Sequence, residues 1–355
     1  MRTGNLAEPV LKRSVFRQLN METAGVRGHY GADCVPLCAD SRRKTVGETD
    51  AAAELCTDKA SRIMVSVCAS TGPVPGAEFD LQLQVNEVVN RLAAGGADAH
   101  SIMIQAVLPQ TYEEADLRAD MKCFASAAEK YSIHIEDTQI HVSAEVLMPQ
   151  YFLTAVGYQE LNDSALWQSQ KLLRPGQELV MTKWIAFAGT FFLAENYEKE
   201  LHERYPFSLI DRAKEFGKLI SVAEEARAIT HFGACAMHHL SQGGIFNALW
   251  EMADRAGVGL EVDLKKIPVK QETIEICEYF DINPYYLYSA GSLLIGTDRA
   301  EALIAQLAAI GVPAVVIGRV TDGNDRVIRN GEDCRFLDRP KQDEWYRYQE
   351  NRKHV

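Results

Sequence analysis

The sequence has no apolar run long enough to span a bilayer, and its N-terminus, MRTGNLAEPVLKRSVF, lacks the apolar core of a signal peptide. We therefore expect a cytoplasmic protein. Basic residues are scattered, apart from short runs such as Arg42-Arg43-Lys44, and the formal net charge is −12. Because this charge repels phosphate backbones and anionic membrane surfaces, we expect neither nucleic acid nor a membrane among the partners.

Metal-binding and redox cysteine patterns are also missing. Eight cysteines are spread along the chain without a CxxC pair or a His/Cys zinc pattern. This excludes structural zinc, haem and iron–sulfur sites of the usual kinds. Cytoplasmic proteins rarely contain disulfides, so most of these cysteines are interpreted as small core side chains. No short-period repeat of the solenoid kind is present.

What is present is an ordinary globular composition over 355 residues, with 47% hydrophobic and 24% charged residues. This length suffices for two domains, each with its own core. Predicted helices and strands alternate in both halves, which indicates an α/β or α+β class with mixed sheets. We place a boundary just before the turn Arg174-Pro175-Gly176-Gln177 and predict an N-terminal domain over 1–170, a C-terminal domain over 171–335 and a charged tail over 336–355.

Apolar periodicity predicts a strand-rich layer backed by two helices in the N-terminal half. The predicted elements there are a short helix over 4–20, loop with brief strands over 21–60, strands over 63–67, 102–108, 140–146 and 151–156, an irregular stretch over 70–76, and helices over 79–93 and 112–131. The C-terminal half is predicted to contain strands over 178–183, 232–237, 260–264, 292–297 and 312–320, a loop over 188–190, and helices near 191–203, 207–217, 221–230, 270–279 and 300–310.

The stretch from Ala234 to Pro268 is the most informative part of the C-terminal half. An apolar run leads into a polar, glycine-bearing turn over 238–244. An amphipathic helix follows and ends at Gly257; its apolar side chains are Ile245, Phe246, Leu249, Met252 and Ala253. A strand, a glycine turn and a helix N-terminus present free backbone N–H groups to an anion, which favours a phosphate site. The alternative is a tight turn that needs glycine only for its backbone angles.

This stretch resembles the C-terminal domain of the AIR synthase superfamily. The motifs that carry the resemblance are Gly243-Gly244-Ile245-Phe246, Leu249-Trp250-Glu251-Met252-Ala253, Gly257-Val258-Gly259-Leu260, Asp281-Ile282-Asn283-Pro284 and Ser289-Ala290-Gly291-Ser292-Leu293-Leu294. The superfamily groups aminoimidazole ribonucleotide synthase, the hydrogenase-maturation carbamoyl dehydratase, selenophosphate synthetase and thiamine-monophosphate kinase. The chain is most similar to the AIR synthase-related proteins of the hydrogenase-maturation branch.

The resemblance implies a two-domain PurM-like fold, with an N-terminal mixed sheet backed by helices and a C-terminal α/β sandwich. It further implies a homodimer formed through the N-terminal sheet. ATP would lie in the cleft between the domains, with its phosphates held by Mg²⁺ on aspartates. The chemistry shared by the family is phosphorylation by ATP of an oxygen or selenium nucleophile, which in several members activates an amide-like oxygen.

Several positions depart from the family pattern. Three carboxylates expected there are replaced, in Ser70-Thr71-Gly72, in Asn90-Arg91 and at His239. Carried over residue by residue, the resemblance implies metal ligation by Asp33 and Asp137, and nucleotide contacts from a set comprising Asn90, Arg91, Thr138, His239, Ser241, Gly243 and Gly244.

Some roles stay open. Arg91 would repel a cation at that place, or would replace it as a planar partner of phosphate. Lys12 and Lys183 are candidate phosphate contacts or solvent-exposed lysines, and His238 and His239 are candidate acid–base groups or polar turn residues. The hydrogenase-maturation enzyme ends in a cysteine-bearing tail, whereas this chain ends Lys353-His354-Val355.

Two hypotheses follow. The first is an ATP-dependent enzyme of ligase, lyase or kinase type, with an unassigned small-molecule or protein-tail substrate. The second is a catalytically degenerate pseudoenzyme that acts as a dimeric binding or regulatory scaffold. The sequence assigns no catalytic residue in either case.

Overall fold

The computed structural model describes residues 8–11, 13–14, 33–36, 61–69, 78–160, 172–233 and 236–352. The chain divides into two compact units, which we call the N-terminal unit, Asp33–Ser169, and the C-terminal unit, Gln170–Val355 with Met1–Ala32. Within the described ranges, no helix is long and apolar enough to cross a membrane. The predicted loop over 21–60, apart from 33–36, lies outside the described residues, as do the irregular stretch over 70–76, the run at 42–44 and Lys12.

The N-terminal unit is built on a five-stranded sheet with the strand order β1-β2-β5-β3-β4. Its strands are β1 (Val35–Pro36), β2 (Ser61–Ala69), β3 (Asp98–Pro109), β4 (His134–Ser143) and β5 (Gln150–Glu160). Neighbouring strands are antiparallel except β3 and β4, which are parallel and are joined by a helical crossover. The helices are α1 (Glu8–Leu11), which belongs to the C-terminal unit, and α2 (Glu78–Ala94) and α3 (Glu114–Lys130).

One face of this sheet packs against α2 and α3, and the other is open. Alternate residues of β2 and β5 face the helices and are buried, as Met64 and Leu153 illustrate. The open face carries apolar side chains that are 39–61% exposed: Ile63, Val67, Phe152 and Tyr158. Their cross-strand pairing, such as Ile63 with Tyr158, sets them side by side on one surface.

The C-terminal unit is built on a seven-stranded sheet with the order β12-β11-β8-β10-β6-β9-β7. Its strands are β6 (Glu178–Thr182), β7 (Ala236–His239), β8 (Gly259–Asp263), β9 (Leu293–Thr297), β10 (Ala314–Thr321), β11 (Arg326–Asn330) and β12 (Asp333–Phe336). Its helices are α4 (Phe187–Asn196), α5 (Glu198–Leu201), α6 (Phe207–Lys214), α7 (Ala223–Phe232), α8 (Gly244–Ala256), α9 (Gln271–Tyr279), α10 (Ala300–Ala309) and α11 (Glu344–Arg352).

The central strands β6 and β9 are buried almost throughout, which explains their continuous apolar sequences. The stretch that organises the sequence forms β7, a turn, α8 and β8 in succession. All five apolar residues predicted for one face of α8 are buried. Gly257 caps the helix with a φ of +67°.

The structure corrects three expectations. Residue 232 ends α7 and the strand begins at Ala236, so His238 and His239 belong to β7 and not to the turn. Residues 188–190, which were predicted to form a loop, lie inside α4. Because this helix has apolar residues on every side, its sequence shows no helical periodicity. Residues 136–138, which precede the strand predicted over 140–146, lie within the exposed edge strand β4. Within the charged tail predicted over 336–355, residues Glu344–Arg352 form α11.

Candidate functional site

The glycine turn between β7 and α8 has the backbone geometry of an anion site. Gly243 and Gly244 have φ angles of +81° and +64°, a region that favours glycine. A methyl group on Gly244 would lie 2.5 Å from the carbonyl oxygen of Tyr285, so larger residues are excluded there by space as well. The first backbone N–H groups of a helix have no partner inside that helix and attract negative charge.

An anion of the chain itself already lies at this turn. The backbone N–H of Gly243 donates to Oδ2 of Asp343 at 2.6 Å, and the N–H of Trp345 donates to Oδ1 at 2.9 Å. The N–H of Tyr288 is a third donor. Burial raises the pKa of the Asp343 carboxyl to about 7, while these donors act in the opposite direction. The carboxylate therefore caps the N-termini of α8 and α11 at once.

Residues 337–352, which we call the C-terminal segment, hold Asp343 in this position. The side chain of Asn247 forms a reciprocal pair with the backbone of Lys341, at 3.0 and 3.2 Å. Nε2 of Gln242 donates to the hydroxyl of Tyr346 at 3.2 Å. The ring of Trp345, 4% exposed, packs 6.0 Å from that of Phe192. Sequence reasoning missed Asp343, although an aspartate directly before a helical run is an N-cap signal.

Other predicted residues beside the turn are engaged within the C-terminal unit. His239 is 1% exposed and pairs with Leu293 across the sheet. Nε2 of His238 lies 3.2 Å from Oε2 of Glu251. The carbonyl of Ser241 accepts hydrogen bonds from the N–H groups of Gly244 and Ser289, both at 3.2 Å. The two histidines are thus buried strand residues and not polar turn residues.

In the N-terminal unit the structure brings the side chain of Arg91 to the backbone of Asp33. Nε of Arg91 donates to the carbonyl of Asp33 at 3.0 Å, and a terminal nitrogen donates to the carbonyl of Val67 at 2.8 Å. Asn90, one residue earlier on α2, is fully buried. The guanidinium of Arg91 therefore lies beside Asp33 and places a fixed positive charge there.

Asp137 and Thr138 lie on the opposite edge of the same sheet. The strand pairs Asp137–Met103, Met103–Thr154 and Thr154–Val67 lead across the sheet from β4 to β2. The carbonyl of Val67 accepts a hydrogen bond from Arg91, which lies beside Asp33. Four strand spacings of about 4.8 Å separate the two aspartates by about 19 Å. One ion cannot bind both of them within a single chain. Among the described residues, no group of three or more His, Cys, Asp or Glu side chains is arranged to hold a metal.

Lys183 is not a solvent-exposed lysine, because its side chain is held in an ion pair. Its Nζ lies 2.7 Å from Oε2 of Glu225 and donates to the carbonyl of Ser221 at 2.7 Å. The two side chains of the ion pair are 11% and 3% exposed. Thr182 donates its hydroxyl hydrogen to the other oxygen of Glu225 at 2.8 Å. Burial raises the pKa of Glu225, and the attraction of Lys183 opposes this change.

A cavity of about 490 Å³ lies on the sheet of the C-terminal unit. Charged side chains of neighbouring strands line it, among them Glu178, Glu261, Arg319 and Arg329. Both arginines form ion pairs with Glu261, which lowers the pKa of that carboxyl. None of the residues predicted for nucleotide or metal binding lines this cavity.

Comparison with known proteins identifies related sequences and folds. The family model "AIR synthase related protein, C-terminal domain" matches residues 174–330, a range that includes the glycine turn. A carbamoyl dehydratase HypE of Rhodobacter capsulatus is 26% identical over 250 residues, 69% of this chain and 70% of that protein.

Two solved structures share the fold. A HypE–HypF complex superposes with a TM-score of 0.67 at 19% identity, covering 92% of this chain and all of that one. A HypE in complex with ATP gives 0.65 at 18% identity, covering 97% and 98%. These matches confirm the predicted two-domain α/β fold.

Proposed function

We propose that this chain is a hydrogenase-maturation-factor-like protein of the AIR synthase-related superfamily and that it binds ATP. The reaction proposed is phosphoryl transfer that activates an amide or a similar oxygen. The observation that carries the proposal is the glycine turn at Gly243 and Gly244, which lies inside the family match and has the angles of an anion site. A HypE has been solved with ATP, which supports the choice of nucleotide.

The residues of this chain would act through positioning and charge. The N–H groups at the start of α8 would hold a phosphate oxygen, and the helix dipole would favour its negative charge. The guanidinium of Arg91 is a second candidate for phosphate, since its planar fork matches two oxygens. Asp33 and Asp137 do not fit one shared magnesium ion within the chain, so we assign no step to a metal.

A catalytically degenerate scaffold is the second candidate function, and two observations favour it. The donors of Arg91 are directed at the carbonyls of Asp33 and Val67. The N–H of Gly243 already binds Asp343. A protein in which internal groups fill the anion sites would bind nucleotide weakly and act through its partners.

We also infer a homodimer formed through the open face of the N-terminal sheet. Four large apolar side chains are partly exposed there, and a cluster of this kind marks an interaction surface. A second copy of the chain would cover both open faces at once, since the interface of a twofold dimer is self-complementary.

Calorimetric titration of the full chain with ATP, in the presence of Mg²⁺ and in the presence of a chelator, tests the proposal. Saturable binding of ATP supports the nucleotide-binding function. If this binding depends on Mg²⁺, an intact metal site exists that is not formed by Asp33 and Asp137 of one chain together. Absence of binding at millimolar ATP would leave the scaffold as the function. GTP at the same concentrations is the control for nucleotide specificity.

A further inference from the structure

The carboxylate of Asp343 occupies the place at the glycine turn that an anionic ligand would take. Its Oδ2 atom lies 2.6 Å from the N–H of Gly243, a distance typical of a charged hydrogen bond. We propose that Asp343 is an internal competitor for this anion site, and that the C-terminal segment must leave the turn before a phosphate group binds there. This inference rests on the proposed function and concerns the regulation of the same site.

The geometry distinguishes this contact from an ordinary helix cap. A cap side chain normally serves its own helix, as Asp343 does by accepting from the N–H of Trp345 at 2.9 Å. The same carboxylate also accepts from the turn before α8, which is 100 residues away in sequence. The N-termini of α8 and α11 thus share one negative charge. The N-terminus of α8 already has its glycine turn, so this helix needs no capping side chain.

Beside its packed apolar side chains, the segment makes polar contacts that can be exchanged for water. Hydrogen bonds join Gln242 to Tyr346, and Asn247 to Lys341. An exposed ion pair of 2.8 Å joins Arg352 to Glu200. Such polar contacts have small net free energies, because water replaces them on release. The apolar anchors of the segment are Trp345, Tyr348 and Leu337, and release would expose the indole ring of Trp345 with them.

A cation lies near a ring of the first turn of α8 and would favour an external anion once Asp343 has left. The guanidinium of Arg335 lies 5.5 Å from the centre of the Phe246 ring, which is in the first turn of α8. As long as Asp343 stays bound, the apparent affinity for an anion is reduced by the fraction of molecules with an open turn. A tethered carboxylate has a high effective concentration, so this reduction is large.

The test uses the full chain at about pH 8.5, above the pKa of about 7 of the Asp343 carboxyl, and two probes, inorganic tripolyphosphate and ATP. Asp343→Asn removes the charge at nearly constant shape, and Asp338→Asn is the matched control. Asp338 belongs to the same segment, but its partners are Lys341 and Tyr286 and not the glycine turn. Because charged hydrogen bonds are roughly twice as strong as neutral ones, we expect Asp343→Asn to bind tripolyphosphate at least about tenfold more tightly than the wild type, and Asp338→Asn to match the wild type.

A second measurement needs no variant. Addition of tripolyphosphate to the wild-type chain should increase hydrogen exchange in residues 337–352 and shift the fluorescence of Trp345 to longer wavelength. Trp345→Phe should abolish the fluorescence change, which assigns it to this indole. Unchanged exchange in the segment, together with equal affinities of the wild type and Asp343→Asn, would overturn the inference.

The two probes separate this inference from the proposed function. If ATP binds the wild type and Asp343→Asn equally, the nucleotide function stands and the internal competitor is excluded. If tripolyphosphate binds Asp343→Asn more tightly but ATP binds neither protein, the internal competitor stands and the nucleotide function fails.

Discussion

Asp80 is a carboxyl group buried at the start of α2, where its side chain is 1% exposed. Its Oδ2 accepts from Nε2 of Gln84 at 3.4 Å, and its Oδ1 has no hydrogen-bond partner in the described part of the chain. Burial raises its pKa from 3.8 to about 7. Between about pH 4 and pH 7 the folded chain therefore binds more protons at this residue than the unfolded chain. Stability should fall as the pH rises through this window.

Asp80→Asn should remove this dependence, because an amide stays neutral at every pH. We expect the variant and the wild type to have similar stability near about pH 4, and the variant to be more stable by up to about 4 kcal/mol above about pH 8. Denaturant unfolding at several pH values measures the difference. Asp116→Asn, in the exposed first turn of α3, is the control and should follow the wild type. Parallel pH profiles for wild type and Asp80→Asn would contradict the assignment.

The ion pair between Lys183 and Glu225 allows a second prediction at the residue scale. Lys183→Met should destabilise the chain by about 3–5 kcal/mol, because it leaves a buried carboxylate without its cation. Arg118→Met, which breaks the exposed pair with Glu114, should cost no more than about 0.5 kcal/mol. Urea unfolding compares the two. If Lys183→Met instead lowered ATP affinity while stability was unchanged, the phosphate-contact role considered from the sequence would apply.

At the scale of elements, the two ends of α8 provide a matched pair of glycines. Gly244 and Gly257 have φ angles of +64° and +67°, so alanine meets the same backbone strain at both. A methyl group on Gly257 would have no neighbour within 4 Å, whereas one on Gly244 would meet the carbonyl oxygens of Tyr285 and Leu287. Gly257→Ala should therefore cost about 1–2 kcal/mol. Gly244→Ala should cost about 1–3 kcal/mol more, since backbone atoms must move.

Thermal and denaturant unfolding of the two alanine variants check this order. Equal losses of stability would mean that the turn can shift away from the added methyl group, and that only its backbone angles require glycine. That outcome would also weaken the case for a rigid anion site at Gly243.

Elements with a clear apolar period were predicted closely. The helix expected over 79–93 is α2, Glu78–Ala94, and the helix expected over 300–310 is α10, Ala300–Ala309. Elements whose stability comes from contacts distant in sequence were not predicted closely. The residues of β4 are exposed or half-buried throughout, so their sequence lacks alternation. The helix α11 owes its position to rings such as Phe192, which packs against Trp345 from far along the chain.

The candidate site likewise contains one part that the sequence predicts and another part that depends on distant contacts. The glycine turn could be predicted, because left-handed backbone angles restrict the sequence to glycine at those positions. The contact of Asp343 with that turn could not, because a pairing across 100 residues leaves no local pattern. The separation of Asp33 and Asp137 also depends on strand order, which sequence periodicity does not determine.

At the scale of the whole molecule, the open face of the N-terminal sheet is the surface that a second copy would cover. Phe152 lies on this face with 41% of its surface exposed, and it pairs with Ala69 and Gln105 across the sheet. Phe336 lies on β12 of the C-terminal unit and is 69% exposed. The two phenylalanines are both exposed strand residues, and only the first lies on the proposed interface. They therefore form a matched pair for substitution by glutamate.

Phe152→Glu should weaken the homodimer at least about a hundredfold, because association would bury a carboxylate without a partner in each copy. Phe336→Glu should leave the dimer intact. Sedimentation velocity over a range of concentrations measures both dissociation constants, and circular dichroism verifies that the variants are folded. A wild-type chain that is monomeric at every concentration, or a Phe152→Glu variant as dimeric as Phe336→Glu, would exclude this face as the dimer interface. In either case the exposed apolar cluster would have to meet a different partner.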